Sequence, residues 1–156
     1  MTEAEGGTQF AAVDVFLILR DADGRVLFGR RAAHLYAGGE WNLPAGKVER
    51  GEDVVTAVCR EALEEVGVVL TPADLRAVGV VHTRGSDVPR VGFAYAADYD
   101  PVGQGVAHNA EPAKCDGVTW ADPVAPPQPL ETYNTAVLGL FTAGTAPVTL
   151  HGWETG

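Results

Sequence analysis

The chain has few of the features that mark disulfide-rich, membrane-spanning or nucleic-acid-coating proteins. Two cysteines, Cys59 and Cys115, in 156 residues make no disulfide framework. No apolar run approaches the ~18 residues of a membrane span, and the N-terminus has no basic stretch followed by an apolar one. Lys and Arg number 11 against 21 Asp and Glu, a net charge of −10, which excludes a general binder of long nucleic acid. We expect a soluble, cytoplasmic protein with no membrane or large nucleic-acid partner.

The order of the expected elements indicates the fold class. A chain of this length favours a single domain, which we predict over residues 10–156 after a flexible N-terminus, 1–9. Strands are predicted at 12–19, 25–30, 75–83, 91–98 and 117–120, a short extended piece at 41–44, a long loop at 99–114 and a last helix at 133–142. In the strand 91–98, the side that carries Phe93 and Tyr95 is expected to be the buried one. This order predicts an α/β fold, an α/β/α sandwich with a mixed β-sheet between helices.

One stretch carries most of the acidic pattern. Residues 46–68, GKVERGEDVVTAVCREALEEVGV, are typical of a loop that runs into a helix. Glu52 and Asp53 are expected in the first helical turn, where the helix dipole favours acid, and Gly67 is expected to end the helix. The positions that recur with helical spacing predict a core-facing stripe: Val55, Val58, Ala62 and Val66.

Glu61, Glu64 and Glu65 share another face of this helix, where their like charges repel. A solvated acidic face is the ordinary explanation. However, Arg60 is the only basic residue of the helix, so the usual alternating lysines are missing. The preceding Leu-Pro-Ala-Gly-Lys loop has a glycine that lets backbone approach a ligand. Clustered carboxylates beside a backbone carbonyl form an all-oxygen site that suits Mg²⁺ or Mn²⁺.

The spacing of this stretch resembles the motif of the Nudix hydrolases. Gly46, five residues, Glu52, seven residues and then REALEEVGV from Arg60 reproduce its Gly, Glu and Arg positions, and Ala62 replaces a larger aliphatic residue. The resemblance implies a small, MutT-like member with the sandwich fold. It also implies Mg²⁺-dependent cleavage of a pyrophosphate bond in a nucleoside diphosphate linked to another group, with a small nucleotide as substrate and often a homodimer.

The resemblance also assigns roles in the catalytic centre. The metal ligands would be Glu61, Glu64 and Glu65 with the carbonyl of Ala45, and Glu111 on the long loop would approach the same ion. Arg60 would hold a ligating carboxylate through a bidentate contact. Glu64 is the first choice for the general base, with Glu52 holding a metal-bound water or orienting the arginine.

Substrate-binding residues are predicted with open alternatives. Contacts to phosphate are expected from Arg30, Arg31 and Lys47, each of which alone is more often a surface charge. Trp41 and Tyr36 could stack on a base. Asn134 could read a base edge, although a residue at a helix start more often serves the backbone.

The substrate class follows by elimination within the resemblance. The marks of the ADP-ribose-cleaving and dinucleoside-polyphosphate groups are absent after the motif. We therefore predict a nucleoside triphosphate pyrophosphohydrolase that releases a nucleoside monophosphate and pyrophosphate, with nucleotide-pool sanitation as a role. The alternatives are an ADP-ribose or sugar-nucleotide pyrophosphatase, a non-catalytic nucleotide sensor, and an interaction module with an acidic helix.

Overall fold

The computed structural model describes residues 6–144 and 146–153, so residues 1–5 of the predicted flexible N-terminus lie outside the described part. The strands are β1 (Ala12–Arg20), β2 (Val26–Arg31), β3 (Trp41–Asn42), β4 (Ala45–Lys47), β5 (Arg76–Thr83), β6 (Arg90–Asp98), β7 (Cys115–Ala121) and β8 (Val148–His151). The helices are α1 (Val54–Val66), α2 (Pro101–Gln104) and α3 (Thr132–Thr142), with a 3₁₀ turn at Pro72–Asp74. Within the described ranges, no helix has the length and apolarity needed to cross a membrane.

All of these strands belong to one eight-stranded mixed sheet. The main order is β3-β2-β1-β6-β5-β8, with β4 paired to β1 and β7 paired to β2. β1 and β6 run parallel in an unbroken register from Ala12 opposite Arg90 to Arg20 opposite Asp98. β5 and β8 are also parallel, and the other pairs are antiparallel. The predicted mixed sheet is therefore confirmed.

β1 explains why the sheet lies between two helical layers. Its residues alternate between two separate cores: Val15 and Leu17 pack with α1 on one face, and Phe16 and Ile18 pack with α3 on the other. Both faces are covered, so the strand is an uninterrupted apolar run instead of an alternating one. This arrangement confirms the α/β/α sandwich, while the bounds of the single domain stay a prediction.

The predicted start of α1 was wrong. The helix begins at Val54, and Asp53 caps it by accepting a hydrogen bond from the Thr56 N–H at 2.8 Å. Glu52 thus precedes the helix. The buried stripe also differs by one position, because Ala57 is buried and Val55 is only half-buried.

Two further expectations needed correction. Both faces of β6 are covered, and its most buried residues include Ala94 and Ala96, on the side opposite Phe93 and Tyr95. Small residues on that side lie beneath α3, so side-chain size misled the interpretation of the alternation. The segment 99–114 is not a loop throughout, because α2 lies within it.

Candidate active site

A glycine of β4 makes room for a carboxylate of α1. Gly46 lies opposite Val15 of β1, which places β4 beside the helix. A Cβ atom on Gly46 would lie 2.1 Å from both Cδ and Oε1 of Glu61. The backbone φ of Gly46 is not positive, so its conformation does not demand glycine. Glycine is required for space, because the Glu61 carboxylate occupies the volume that a side chain at position 46 would need.

Arg60 connects most of the motif carboxylates. Its Nε and Nη2 atoms donate to the two oxygens of Glu52 at 2.7 and 2.8 Å, a bidentate pair. Nη1 donates to Glu61 Oε1 at 2.7 Å and to Glu64 Oε2 at 3.1 Å, while Nη2 also reaches the Lys47 carbonyl at 3.1 Å. The hydrogen bond from Arg60 lowers the pKa of Glu52 to about 2. The bidentate contact therefore falls on Glu52, with single contacts to two of the predicted ligands.

Glu65 is a half-buried carboxylate that contacts the backbone of the glycine loop. Its Oε2 accepts a hydrogen bond from the Ala45 N–H at 3.0 Å. Burial, followed by the charge of the adjacent Glu61, raises the pKa of Glu65 well above its ordinary value, and the charge of Glu111 adds to this. Burial also raises the pKa of Glu61, against the lowering effect of Arg60. Burial therefore makes the charged forms of these two carboxylates unfavourable in the metal-free protein.

The loop that carries Glu111 is bound to the C-terminal end of α1. The N–H groups of His108 and Ala110 donate to the carbonyls of Val66 and Glu65, each at 3.0 Å. These are terminal carbonyls that the helix itself leaves without partners. The loop therefore completes the helix end and brings Glu111 next to Glu65.

A cleft of about 200 Å³ lies beside these carboxylates. Its lining includes two carboxylates, Glu65 and Glu111, and three cations, Arg30, Arg31 and Lys114, of which Lys114 has its Nζ 3.6 Å from the Glu111 carboxylate. A lining of both charges suits a ligand that is itself an anion with a bound cation, such as a metal–phosphate complex.

The predicted substrate residues fall into two groups, those that line the cleft and those that are not part of its lining. Arg30 and Arg31 line the cleft, whereas Trp41, Tyr36 and Lys47 do not. Trp41 pairs with Arg30 across β2 and β3, with the guanidinium carbon 5.6 Å from the ring centroid. Tyr36 is 89% exposed on the neighbouring loop, where its carbonyl accepts a hydrogen bond from Arg31 Nε. The side chain of Lys47 is exposed, and only its carbonyl joins the Arg60 network.

Asn134 lies inside the protein with its amide already in use. It is 4% exposed, and its Oδ1 accepts from the Leu43 N–H at 2.8 Å. Its Nδ2 donates to Asn42 Oδ1 at 3.0 Å and to Glu131 at 2.8 Å. The helix cap itself is Glu131, which accepts from the Asn134 N–H. A base contact by Asn134 would have to break one of these bonds.

The donor set fits a hard divalent cation. Among the described residues, no three acidic, His or Cys side chains converge as a ready set of metal ligands. Glu61 and Glu64 face Arg60, and Glu65 faces the Ala45 N–H. However, burial raises the pKa values of Glu61 and Glu65, and the charge of Glu61 raises that of Glu65 further. A cation bound by oxygen atoms alone would stabilise the charged carboxylates, which suits Mg²⁺ or Mn²⁺.

Three residues of this region were not predicted. Lys114 and Cys115 line the cleft, and Asn109 hydrogen-bonds within the loop beside it. Lys114 is three residues after Glu111, and its Nζ lies 3.6 Å from the Glu111 carboxylate. That spacing is a signal that could have been recognised. Asn109 and Cys115 carry none, because their positions depend on how the loop meets β7.

The fold and the site together define a class: a mixed-sheet sandwich in which a carboxylate helix and a glycine loop lie beside a cleft lined by residues of both charges. The model of the NUDIX domain matches residues 10–136. The chain belongs to the Nudix family.

Relatives and solved structures agree with this assignment. The chain is similar to an RNA pyrophosphohydrolase of Halorhodospira halophila, 42% identical over 66 residues, which are 42% of this chain and 33% of that protein. It is also similar to the 8-oxo-dGDP phosphatase NUDT18 of Mus musculus, 35% identical over 108 residues, which are 68% of this chain and 30% of that protein. The chain thus spans about a third of the length of these curated relatives. The structure of a MutT NUDIX hydrolase from Burkholderia pseudomallei superposes with a TM-score of 0.73 at 28% identity, covering 86% of this chain and 100% of that one.

Proposed function

We propose that this protein is a Mg²⁺-dependent hydrolase that cleaves the pyrophosphate linkage of a nucleoside diphosphate joined to another group, with Mn²⁺ as a substitute ion. The observation that carries the proposal is the mixed charge of the cleft lining. Glu65 and Glu111 line a space of about 200 Å³ together with Arg30, Arg31 and Lys114. Hydrolysis of a phosphoanhydride needs both a cation site and anchors for phosphate oxygens, and this lining contains residues of both kinds.

We propose a nucleoside triphosphate as the substrate, cleaved to a nucleoside monophosphate and pyrophosphate in nucleotide-pool sanitation. A net charge of −10 disfavours a long RNA chain and is compatible with a small nucleotide. The similarity to a phosphatase named for 8-oxo-dGDP supports a small, damaged nucleotide. ADP-ribose, sugar nucleotides and non-catalytic sensing are the alternatives that the experiment below separates.

The carboxylates hold the ion and accept the proton. The metal ligands would be Glu61, Glu64, Glu65 and Glu111 with the Ala45 carbonyl. The bound ion supplies Lewis acidity and a template for the phosphates. Glu64 is half exposed and gives only Oε2 to Arg60, so Oε1 would take the proton from the attacking water. The water oxygen forms a bond to phosphorus, and the bridging oxygen leaves with its electron pair.

The basic side chains position the substrate and the carboxylates. Arg30, Arg31 and Lys114, which line the same cleft as Glu65 and Glu111, would bind phosphate oxygens. Arg60 holds Glu52 in its bidentate contact and thereby keeps both side chains in fixed orientations. Because it also contacts Glu61, Arg60 sets the position of that carboxylate relative to Gly46.

The test is a turnover screen with Mg²⁺ against nucleoside triphosphates, oxidised nucleotides, ADP-ribose, sugar nucleotides and dinucleoside polyphosphates. We expect one preferred triphosphate with pyrophosphate release, and loss of turnover in Glu64→Gln and Glu65→Gln with the fold intact. Asp87→Asn, an exposed carboxylate on another loop, is the control and should retain the rate. Negligible turnover of the whole panel together with intact Mg²⁺ binding would favour a sensor. Light scattering on the same preparation tests the homodimer that the family resemblance implies.

A further inference from the structure

A short turn connects Glu111, which lines the cleft, to the start of β7. The Glu111 carbonyl accepts hydrogen bonds from the N–H groups of Lys114 and Cys115, at 2.9 and 3.0 Å. Cys115 begins β7 and lies opposite Arg31 of β2, at an irregularity in the register of the two strands. The turn therefore begins with a predicted metal ligand and ends opposite a predicted phosphate ligand.

The side chain of Asn109 closes this turn from both ends. Its Nδ2 donates to the Cys115 carbonyl at 2.7 Å, and its Oδ1 accepts from the Glu111 N–H at 3.1 Å. Both the donor and the acceptor of the amide are used, each on a different end of the turn. Because Ala110 is bound to the Glu65 carbonyl, the base of the turn is also attached to α1.

We propose that Asn109 is a positioning residue that fixes Glu111 at its place beside Glu65, and so sets the affinity of the cleft for a divalent cation. This inference rests on the proposed function for its catalytic meaning, but metal binding tests it without turnover. Asn109 does not line the cleft, and it acts only through the backbone of the turn.

The chemistry of the amide explains why this position needs asparagine. Alanine would leave the Glu111 N–H and the Cys115 carbonyl without their partners. Aspartate keeps an acceptor for the Glu111 N–H but has no donor, and it places a carboxylate against the Cys115 carbonyl oxygen. The two variants therefore separate the two halves of the contact.

Hydrogen exchange of the metal-free protein is the first measurement. In Asn109→Ala we expect the Glu111 amide to exchange roughly tenfold faster, because the variant loses the one hydrogen bond that this amide donates to Asn109. In Asn109→Asp the same amide should stay protected. Gln104→Ala is the matched control, because the Gln104 amide also bridges two backbone groups, accepting from Asp100 N–H and donating to the Asp98 carbonyl, away from the cleft. Unchanged exchange of the Glu111 amide in Asn109→Ala would overturn the proposal.

Mn²⁺ binding without nucleotide is the second measurement. Asn109→Ala should weaken binding about tenfold, as for other residues that orient a metal ligand, whereas Gln104→Ala should not. In a Glu111→Gln background the same substitution should change the affinity by less than about twofold, because it acts through Glu111. An equal loss in both backgrounds, or no Mn²⁺ binding by the unchanged chain, would refute the positioning role. Intact Mn²⁺ binding with no turnover of any nucleotide would refute only the proposed function.

Discussion

Replacing Gly46 with alanine tests whether a single methyl group can misplace a catalytic carboxylate. The added Cβ would lie 2.1 Å from Cδ and Oε1 of Glu61 and 2.7 Å from its Cγ. Since nonbonded carbons approach no closer than about 3.5 Å, the carboxylate has to move by more than about 1 Å. Displacements of about 1 Å in a catalytic site cost on the order of 100-fold in rate.

We therefore expect Gly46→Ala to lower kcat about 100-fold while the protein stays folded. Stability should change little, because φ at Gly46 is not positive and the group to be displaced is the end of a flexible side chain. Steady-state kinetics over a Mg²⁺ titration measure the first effect, and thermal unfolding by circular dichroism measures the second. The shorter carboxylate of the double variant Gly46→Ala/Glu61→Asp should recover part of the rate.

Gly117→Ala is the matched control for this substitution. Gly117 is also a strand glycine near the cleft, but a Cβ atom there would meet nothing within 4 Å. The Gly117→Ala variant should retain the kcat of the parent protein. If Gly46→Ala kept a kcat within about twofold of the parent, the tight contact with Glu61 would not matter for the chemistry, and the reasoning from space would be wrong.

Three further substitutions probe other parts of the site. Burial and the adjacent Glu61 raise the pKa of Glu65 in the folded protein above its unfolded value of 4.5, so the metal-free protein loses stability as the pH rises through the folded-state pKa. Glu65→Gln should therefore raise the Tm at about pH 8 in chelator, with no gain below the unfolded value of 4.5, and should abolish Mg²⁺ binding. Arg30→Ala should raise KM about tenfold with little change in kcat, as expected for a phosphate contact made in both ground and transition states. Asn134→Ala should lower the free energy of unfolding by about 1–3 kcal/mol in urea titrations, because the buried Leu43 N–H loses its acceptor.

Each of these outcomes can fail in a specific way. A lower Tm for the metal-free Glu65→Gln protein at high pH would mean that the parent protein accommodates the charged Glu65 carboxylate well. Equal KM changes in Arg30→Ala and in Arg76→Ala, a surface arginine paired with Asp98, would show a general charge effect. An unchanged unfolding energy in Asn134→Ala, or a large change in KM with a stable fold, would favour the role in base recognition.

The local sequence pattern was sufficient to predict most of α1, the helix that carries Glu61, Glu64 and Glu65. Helical spacing placed Glu61, Glu64 and Glu65 on one side of α1, and the order of strands and helices predicted the sandwich correctly. The start of the helix was not predictable by the same argument. Asp53 caps the helix, whereas Glu52 lies before it and pairs with Arg60, a contact that depends on how the chain folds. An acidic residue near a helix start fits both positions.

Contacts between distant segments were beyond the sequence. Gly67 was predicted to end α1, and it does so with a positive φ of 69°. A second constraint appears only in the structure: a Cβ at Gly67 would lie 2.3 Å from the ring of His108, which lies far along the chain. The same holds for Asn134, whose hydrogen-bond partners Asn42 and Leu43 are set by how α3 packs on the sheet.

The long parallel pairing of β1 with β6 has a consequence for biosynthesis. β1 is made before α1 and β5, but its parallel neighbour β6 is made only after them. Until then the apolar β1 has an open edge, and such edges promote pairing with other chains. Fragments that end before Arg90 should therefore aggregate even though they contain the whole Gly46–Val68 motif, and nascent chains should need chaperone protection until β6 leaves the ribosome.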